Sequence, residues 1–96
     1  MRKPLVIDAD VMRRLATLPR EQRVECLLAL CGLPETFGRP HLHTGLSIRK
    51  LTQTTFECRA NINLRFLFHN RPDGLYVSFL GDHDEVRAVL KSGKFD

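Results

Sequence analysis

Arg59, Arg65 and His83 are the side chains of this sequence best suited to work on a phosphodiester. A guanidinium is a fixed, planar fork of donors that fits phosphate oxygens. On neighbouring antiparallel strands, with side chains on one face, Arg59 and Arg65 could meet at a common centre. There they could hold a phosphodiester and stabilise the charge it gains during cleavage. Arginine is a poor proton donor, with a pKa above roughly 12. Attack of an RNA 2′-hydroxyl on its neighbouring phosphate needs a base for that hydroxyl and an acid for the leaving 5′-oxygen. His83, just past Gly81 at a strand end, is of the type that exchanges protons near neutral pH. Such a role contributes typically ~10²–10⁴-fold. The plain alternative for the arginines is a surface network with Glu57 or an aspartate, of a kind worth about 0–1 kcal/mol. For His83 it is a first helical residue without a task.

Other combinations are weaker. His41-x-His43 has no metal-ligand spacing, and Asp82 to Glu85 reads more simply as a helix cap. No metal and no cofactor is expected. Gly81 belongs to no dinucleotide or P-loop pattern, and no hydrolase signature occurs. The six phenylalanines read as core and Tyr76 is the sole tyrosine, so a base-stacking platform is not expected.

These residues need elements to position them. Residues 3–7 read as an edge strand, with Pro4 where no ladder donor is needed. Asp8 or Asp10 caps a first helix to about Leu18, with Val11, Leu15 and Leu18 spaced by four and three. Leu18-Pro19 breaks it and Pro19 opens a second helix. Val24, Leu27, Leu28 and Cys31 form its apolar stripe, and Gly32 is its expected left-handed cap. The two helices form an antiparallel hairpin. Residues 32–46 hold three glycines and two prolines and read as a loop.

From Ser47 the period becomes two. Strands are expected near Ser47–Leu51, then in TFECRAN, NLRFLFH and GLYVSFLG, joined by turns at Asn61–Asn63 and Asn70–Gly74. Alternation puts Phe56, Cys58, Ala60, Leu64, Phe66, Phe68, Leu75, Val77 and Phe79 inward. The opposite face presents Glu57, Arg59, Arg65, His69, Tyr76 and Ser78, with Leu67 and Leu80. A last helix, capped by Asp82 with Glu85 and stopped by Gly93, turns Val86, Val89 and Leu90 inward. The fold class is α+β: an N-terminal strand and helical hairpin on an antiparallel sheet, with a short C-terminal helix. Residues 1–96 are expected to form one domain.

Charge is concentrated where the candidate site lies. Between Arg49 and Arg71 five basic residues face Glu57 alone, and the rest of the chain balances, so the net +4 belongs to this stretch. A basic face of this kind points to a polyanionic or acidic partner. No apolar run nears the ~18 residues of a membrane span. The apolar stretch at the start is too short for a signal-peptide core of about 7–15 residues. A cytoplasmic protein is expected. Three cysteines without a C-x-x-C give no disulfide or zinc framework, and read as buried thiols.

Taken in order, Lys50-Leu51, Phe56-Glu57-Cys58-Arg59, Leu64-Arg65-Phe66-Leu67-Phe68 and Gly81-Asp82-His83-Asp84-Glu85-Val86 resemble the RelE/ParE superfamily of toxins from bacterial type II toxin–antitoxin systems. The resemblance covers nearly the whole chain through the order and spacing of its parts. Its RelE branch implies a ribosome-associated mRNA endonuclease that inhibits translation, cutting by 2′-hydroxyl attack without metal. Arg65 matches the arginine that contacts the scissile phosphate, and Arg59 a basic position on the preceding strand. His83 falls where members carry an arginine or histidine. Arg49, Lys50, Arg87 and Lys91 are then expected to bind RNA.

Two departures stand out. No tyrosine follows Tyr76, where many members have one near the C-terminus. Glu57 occupies a strand position that is basic in other members, so it serves as the base or blunts the activity. The ParE branch implies a different outcome, a non-enzymatic inhibitor that binds DNA gyrase. An inactive relative that only binds its antitoxin is the third. All three imply a cognate antitoxin, an acidic segment folding over the basic face.

Overall fold

The computed structural model describes residues 3–39 and 47–93. Strand β1 (Leu5–Ile7) is followed by helices α1 (Ala9–Thr17) and α2 (Arg20–Thr36). Strands β2 (Arg49–Lys50), β3 (Thr55–Arg59), β4 (Leu64–Arg71) and β5 (Gly74–Asp82) come next, and α3 (His83–Lys91) closes the order. The sheet runs β1-β5-β4-β3-β2. Strands β2 to β5 form the expected antiparallel meander. The sheet is nevertheless mixed, because β1 lies parallel to β5, with Leu5 opposite Leu75 and Ile7 opposite Val77. A parallel neighbour needs a long crossover, and everything between β1 and β5 supplies it.

Local chemistry explains the boundaries. Asp8 caps α1 by accepting from the Asp10 backbone N–H at 2.8 Å. Between β3 and β4, Asn61 Oδ1 accepts from the backbone N–H groups of Asn63 and Leu64 at 2.8 and 2.7 Å, an Asx turn. Pro72 and Asp73 make the β4–β5 turn, which leaves Arg71 opposite Gly74. A Cβ on Gly74 would stand 2.9 Å from the Pro4 carbonyl oxygen. That carbonyl accepts from Leu75 N–H at 2.9 Å, so glycine lets β1 join the sheet.

Three expectations need correction. Helix α2 does not stop at Gly32 but continues through Pro34 to Thr36. Leu33 is fully buried, and Phe37, the residue after α2, packs edge-on to Phe56 and Phe68 at 5.1 and 5.4 Å. That burial outweighs the propensity cost of glycine and proline. The buried side of α2 is Cys26, Ala29, Leu30 and Leu33, whereas Val24, Leu27, Leu28 and Cys31 are exposed. Cys31 is therefore not a buried thiol, unlike Cys26 and Cys58.

The third correction lies in β5. Phe68 pairs with Val77 and Leu67 with Phe79, so Ser78 is an extra residue at a β-bulge. The bulge reverses the alternation beyond it. Leu80 joins the core with Phe66, Phe68, Val11 and Leu15. Phe79 lies on the opposite face, beside Leu67.

Candidate functional site

The outer face of the sheet, opposite the helical hairpin, carries the predicted site. Arg59 stands directly opposite Arg65 across β3 and β4, and Arg65 opposite Gly81 across β4 and β5. The two guanidinium groups thus stem from adjacent positions on one face. Like charges so placed repel, and Glu57, two residues from Arg59 on the same face, offsets this. Arg65 Nη1 donates to Glu57 Oε1 at 3.0 Å. Arg49, opposite Glu57 on β2, brings its Nη2 to 3.6 Å from the same oxygen. Exposure of the side chains grades from 6% for Glu57 through 15% for Arg65 to 63% for Arg49. Arg65 Nε is buried and has no hydrogen-bond partner among the described residues. A buried donor left open in this way calls for an explanation.

His83 is placed by α3. Asp82 pairs with Leu64, the neighbour of Arg65, and caps α3 in a full capping box with Glu85. Asp82 Oδ1 accepts from Glu85 N–H at 2.8 Å, and Glu85 Oε1 accepts from Asp82 N–H at 3.0 Å. Glu85 also takes both Nη groups of Arg14 on α1, each at 3.0 Å. The Arg14 bond holds the Glu85 carboxyl below its ordinary range, with the Asp82 backbone adding to it. The same pair raises the pKa of Arg14. His83, exposed, is the first residue of α3 and so lies at the sheet end where Arg59 and Arg65 pair across β3 and β4.

The structure therefore groups Arg59, Arg65, Glu57 and Arg49, with His83 at the same end of the sheet. The remaining predicted RNA contacts lie elsewhere. Lys50 is opposite Phe56, on the alternate face from Arg49. Arg87 and Lys91 are exposed on α3 beside Asp84, along a shallow surface depression. His41 and His43 lie outside the described residues. Among the described residues no group of three or more His, Cys, Asp and Glu side chains is placed to hold a metal ion. Burial pushes the Cys58 thiol up to about 12 and the Cys26 thiol up to about 11, which makes both poor nucleophiles.

The other end of this face holds a second set that the sequence placed there without assigning it a role. Val6, Tyr76, His69 and Thr55 form one register row across β1, β5, β4 and β3. His69 Nε2 is 3.0 Å from Ser78 Oγ, and its Nδ1 is 3.3 Å from Thr55 Oγ1. Burial, helped by the Arg71 charge, lowers the pKa of His69. The Arg71 guanidinium sits 4.8 Å from the centre of the Tyr76 ring, and Tyr76 Oη donates to Asp73 at 2.8 Å. The face is less open than alternation alone implies, since Thr55, Glu57, Leu67 and His69 are buried.

No protein-family model matches the sequence, and no curated protein matches it. Solved structures do match the fold. The archaeal RelE–RelB complex from Pyrococcus horikoshii OT3 contains a chain that superposes with a TM-score of 0.69 at 17% identity, over 85% of this chain and 96% of that one. A copper-bound mutant toxin from Helicobacter pylori gives a TM-score of 0.58 at 18% identity, over 90% and 99% of the two chains. The conserved hypothetical protein HP0894 from the same organism gives 0.50 at 18% identity over the same shares. The fold of this chain is RelE-like. No helix among the described residues is long and apolar enough to cross a membrane.

Proposed function

We propose that this chain, RelE-like in fold, is the toxin of a type II toxin–antitoxin pair and inhibits translation as a ribosome-associated mRNA endonuclease. The observation that carries the reading is the cross-strand pairing of Arg59 with Arg65 on the outer face of a RelE-like sheet. Their charge draws an RNA phosphate to that end. A phosphate oxygen that takes the Arg65 guanidinium displaces Glu57 from it, and Glu57 keeps Arg49 as its cationic partner. Glu57 then accepts the proton of the 2′-hydroxyl. The 2′-oxygen bonds to phosphorus, the bond from phosphorus to the 5′-oxygen breaks, and His83 protonates the departing oxygen. The products are a 2′,3′-cyclic phosphate and a 5′-hydroxyl. Arg59 and Arg65 stabilise the additional charge on the phosphorane oxygens. Neither proton transfer is assigned to a metal or cofactor.

The partner proposed for the resting protein is an acidic antitoxin segment that folds over the same arginines and competes with RNA. One observation favours a second reading, an inactive relative that only binds such a segment. Glu57 already occupies Arg65 at 3.0 Å and is itself almost wholly buried. The two readings part in an assay of mRNA cleavage on translating ribosomes with wild type, Arg65→Ala and His83→Ala. The endonuclease reading expects both variants to lose cleavage by about 10²-fold or more. Unchanged cleavage in folded Arg65→Ala would refute the site. A folded wild type that binds its antitoxin and never cleaves would establish the second reading.

A further inference from the structure

The end of the outer face away from Arg59 and Arg65 is built to receive a flat ring. We propose that Tyr76 and Arg71, with His69 and Ser78 at their side, form a subsite for one nucleobase of single-stranded RNA. The inference rests on the RNA reading above and adds the residue that would choose where the strand lies.

The geometry has four parts. A groove of about 270 Å³ lies across β1, β5 and β4, lined by Val6, Tyr76, Arg71, His69 and Ser78 among others. Val6, 40% exposed, stands opposite Tyr76 in the parallel β1–β5 register, so an aliphatic and an aromatic side chain make an apolar floor. The Tyr76 ring is held from two sides, by the Oη bond to Asp73 at 2.8 Å and by the Arg71 guanidinium at 4.8 Å from its centre. The bulge sets Ser78 out of register, with its Oγ 3.0 Å from His69 Nε2. A base lying in the groove finds the Tyr76 ring and the Arg71 guanidinium for stacking and the Ser78 hydroxyl, oriented by His69, for its polar edge. Stacking of this kind accepts any base, because every base has a π-face.

The composition argues against a stacking platform, since Tyr76 is the sole tyrosine. The structure supplies one anyway by adding Arg71, which stacks as an aromatic ring does. On β4 the residues of this face run Arg65, Leu67, His69 and Arg71, with Leu67 and His69 buried between the two arginines, so the face is basic at both ends. His69 is four residues from Arg65, about 13 Å along a strand. The base held here is therefore not the one beside the phosphate at Arg65 but one further along.

The test is binding of uncleavable 2′-O-methyl RNA hexamers, with an abasic residue stepped along the sequence, measured by fluorescence anisotropy. Wild type is expected to lose about tenfold to a hundredfold in affinity when the abasic residue reaches the groove, and much less at its neighbours. Tyr76→Ala should lose a similar factor on intact RNA and become indifferent to that abasic position. Tyr76→Phe, which keeps the ring but loses the Oη bond to Asp73, should retain the dependence on the abasic position that Tyr76→Ala loses. A flat abasic scan on wild type, no measurable binding of the hexamers, or full affinity in folded Tyr76→Ala would each overturn the subsite. Failure of the endonuclease reading is visible separately. Tyr76-dependent binding without ribosomal cleavage keeps the subsite and removes the enzyme. Arg65-dependent cleavage with full Tyr76→Ala binding does the reverse.

Discussion

Glu57 decides what Arg65 is free to do. Its carboxylate lies between Arg49 and Arg65 at 3.6 and 3.0 Å and is almost fully buried. A pair so placed is strong only while both partners stay, because removing one leaves the other charge buried. Glu57→Gln is the informative change, since it keeps the shape and removes the negative charge. With Glu57 as base, cleavage by this variant should fall by about 10²–10⁴-fold. RNA affinity should rise in the same variant, because Arg65 loses its competitor. Cleavage that rises together with affinity would show the carboxylate to be a clamp and not a base. Alternation alone put Glu57, Arg59 and Arg65 on one face. An arginine network with Glu57 was the plain alternative in the sequence, and the structure shows it between Glu57 and Arg65; which of the two opposed arginines the carboxylate reaches, and its burial, were not legible.

At the scale of elements, α3 carries His83 and is held to the rest of the fold by the buried Val86 and by Glu85. Glu85 completes the capping box and takes both donors of Arg14 from α1. Its folded pKa lies below the ordinary 4.5. The stabilisation is therefore present in full above about 4.5 and is lost as pH falls through the folded value. Glu85→Gln should unfold at lower urea than wild type at neutral pH, and the two midpoints should converge in strong acid. A gap that stayed constant with pH would mean that the Arg14 pair contributes nothing. His69, whose folded pKa is also lowered, adds to acid lability from about 6.5 downward.

Helix α2 gives a second test at this scale. Its apolar residues fall on two sides, and the stripe with the better helical spacing, Val24, Leu27, Leu28 and Cys31, is the one left outside. Leu30→Ala should cost about 2–5 kcal/mol, whereas Leu28→Lys should stay within about 0.5 kcal/mol in the isolated chain. Equal losses in thermal unfolding would contradict the packing described. Periodicity identified the helix but not the face, because only the sheet selects between two apolar sides. The β5 bulge was invisible for a related reason: Gly74 to Asp82 reads as a plain alternation until Ser78 drops out of register.

Across the whole molecule, the order of elements, the turns and the N-terminal caps of α1 and α3 were legible because each has a local cause. The parallel docking of β1 and the continuation of α2 through Pro34 were not, since both follow from contacts distant in sequence. Charge was the long-range feature that could be read directly. Five basic residues against one acidic residue in the central stretch anticipated the arginines of the outer face. The proposed chemistry of phosphate holding and proton transfer rests on that face of a RelE-like fold. The most direct test of this account is to supply the purified chain to ribosomes translating a defined mRNA and to analyse the ends of any fragments. The account predicts cleavage on the ribosome that leaves a 2′,3′-cyclic phosphate and a 5′-hydroxyl. Intact mRNA with a folded protein, or fragments ending in a 5′-phosphate, would contradict it.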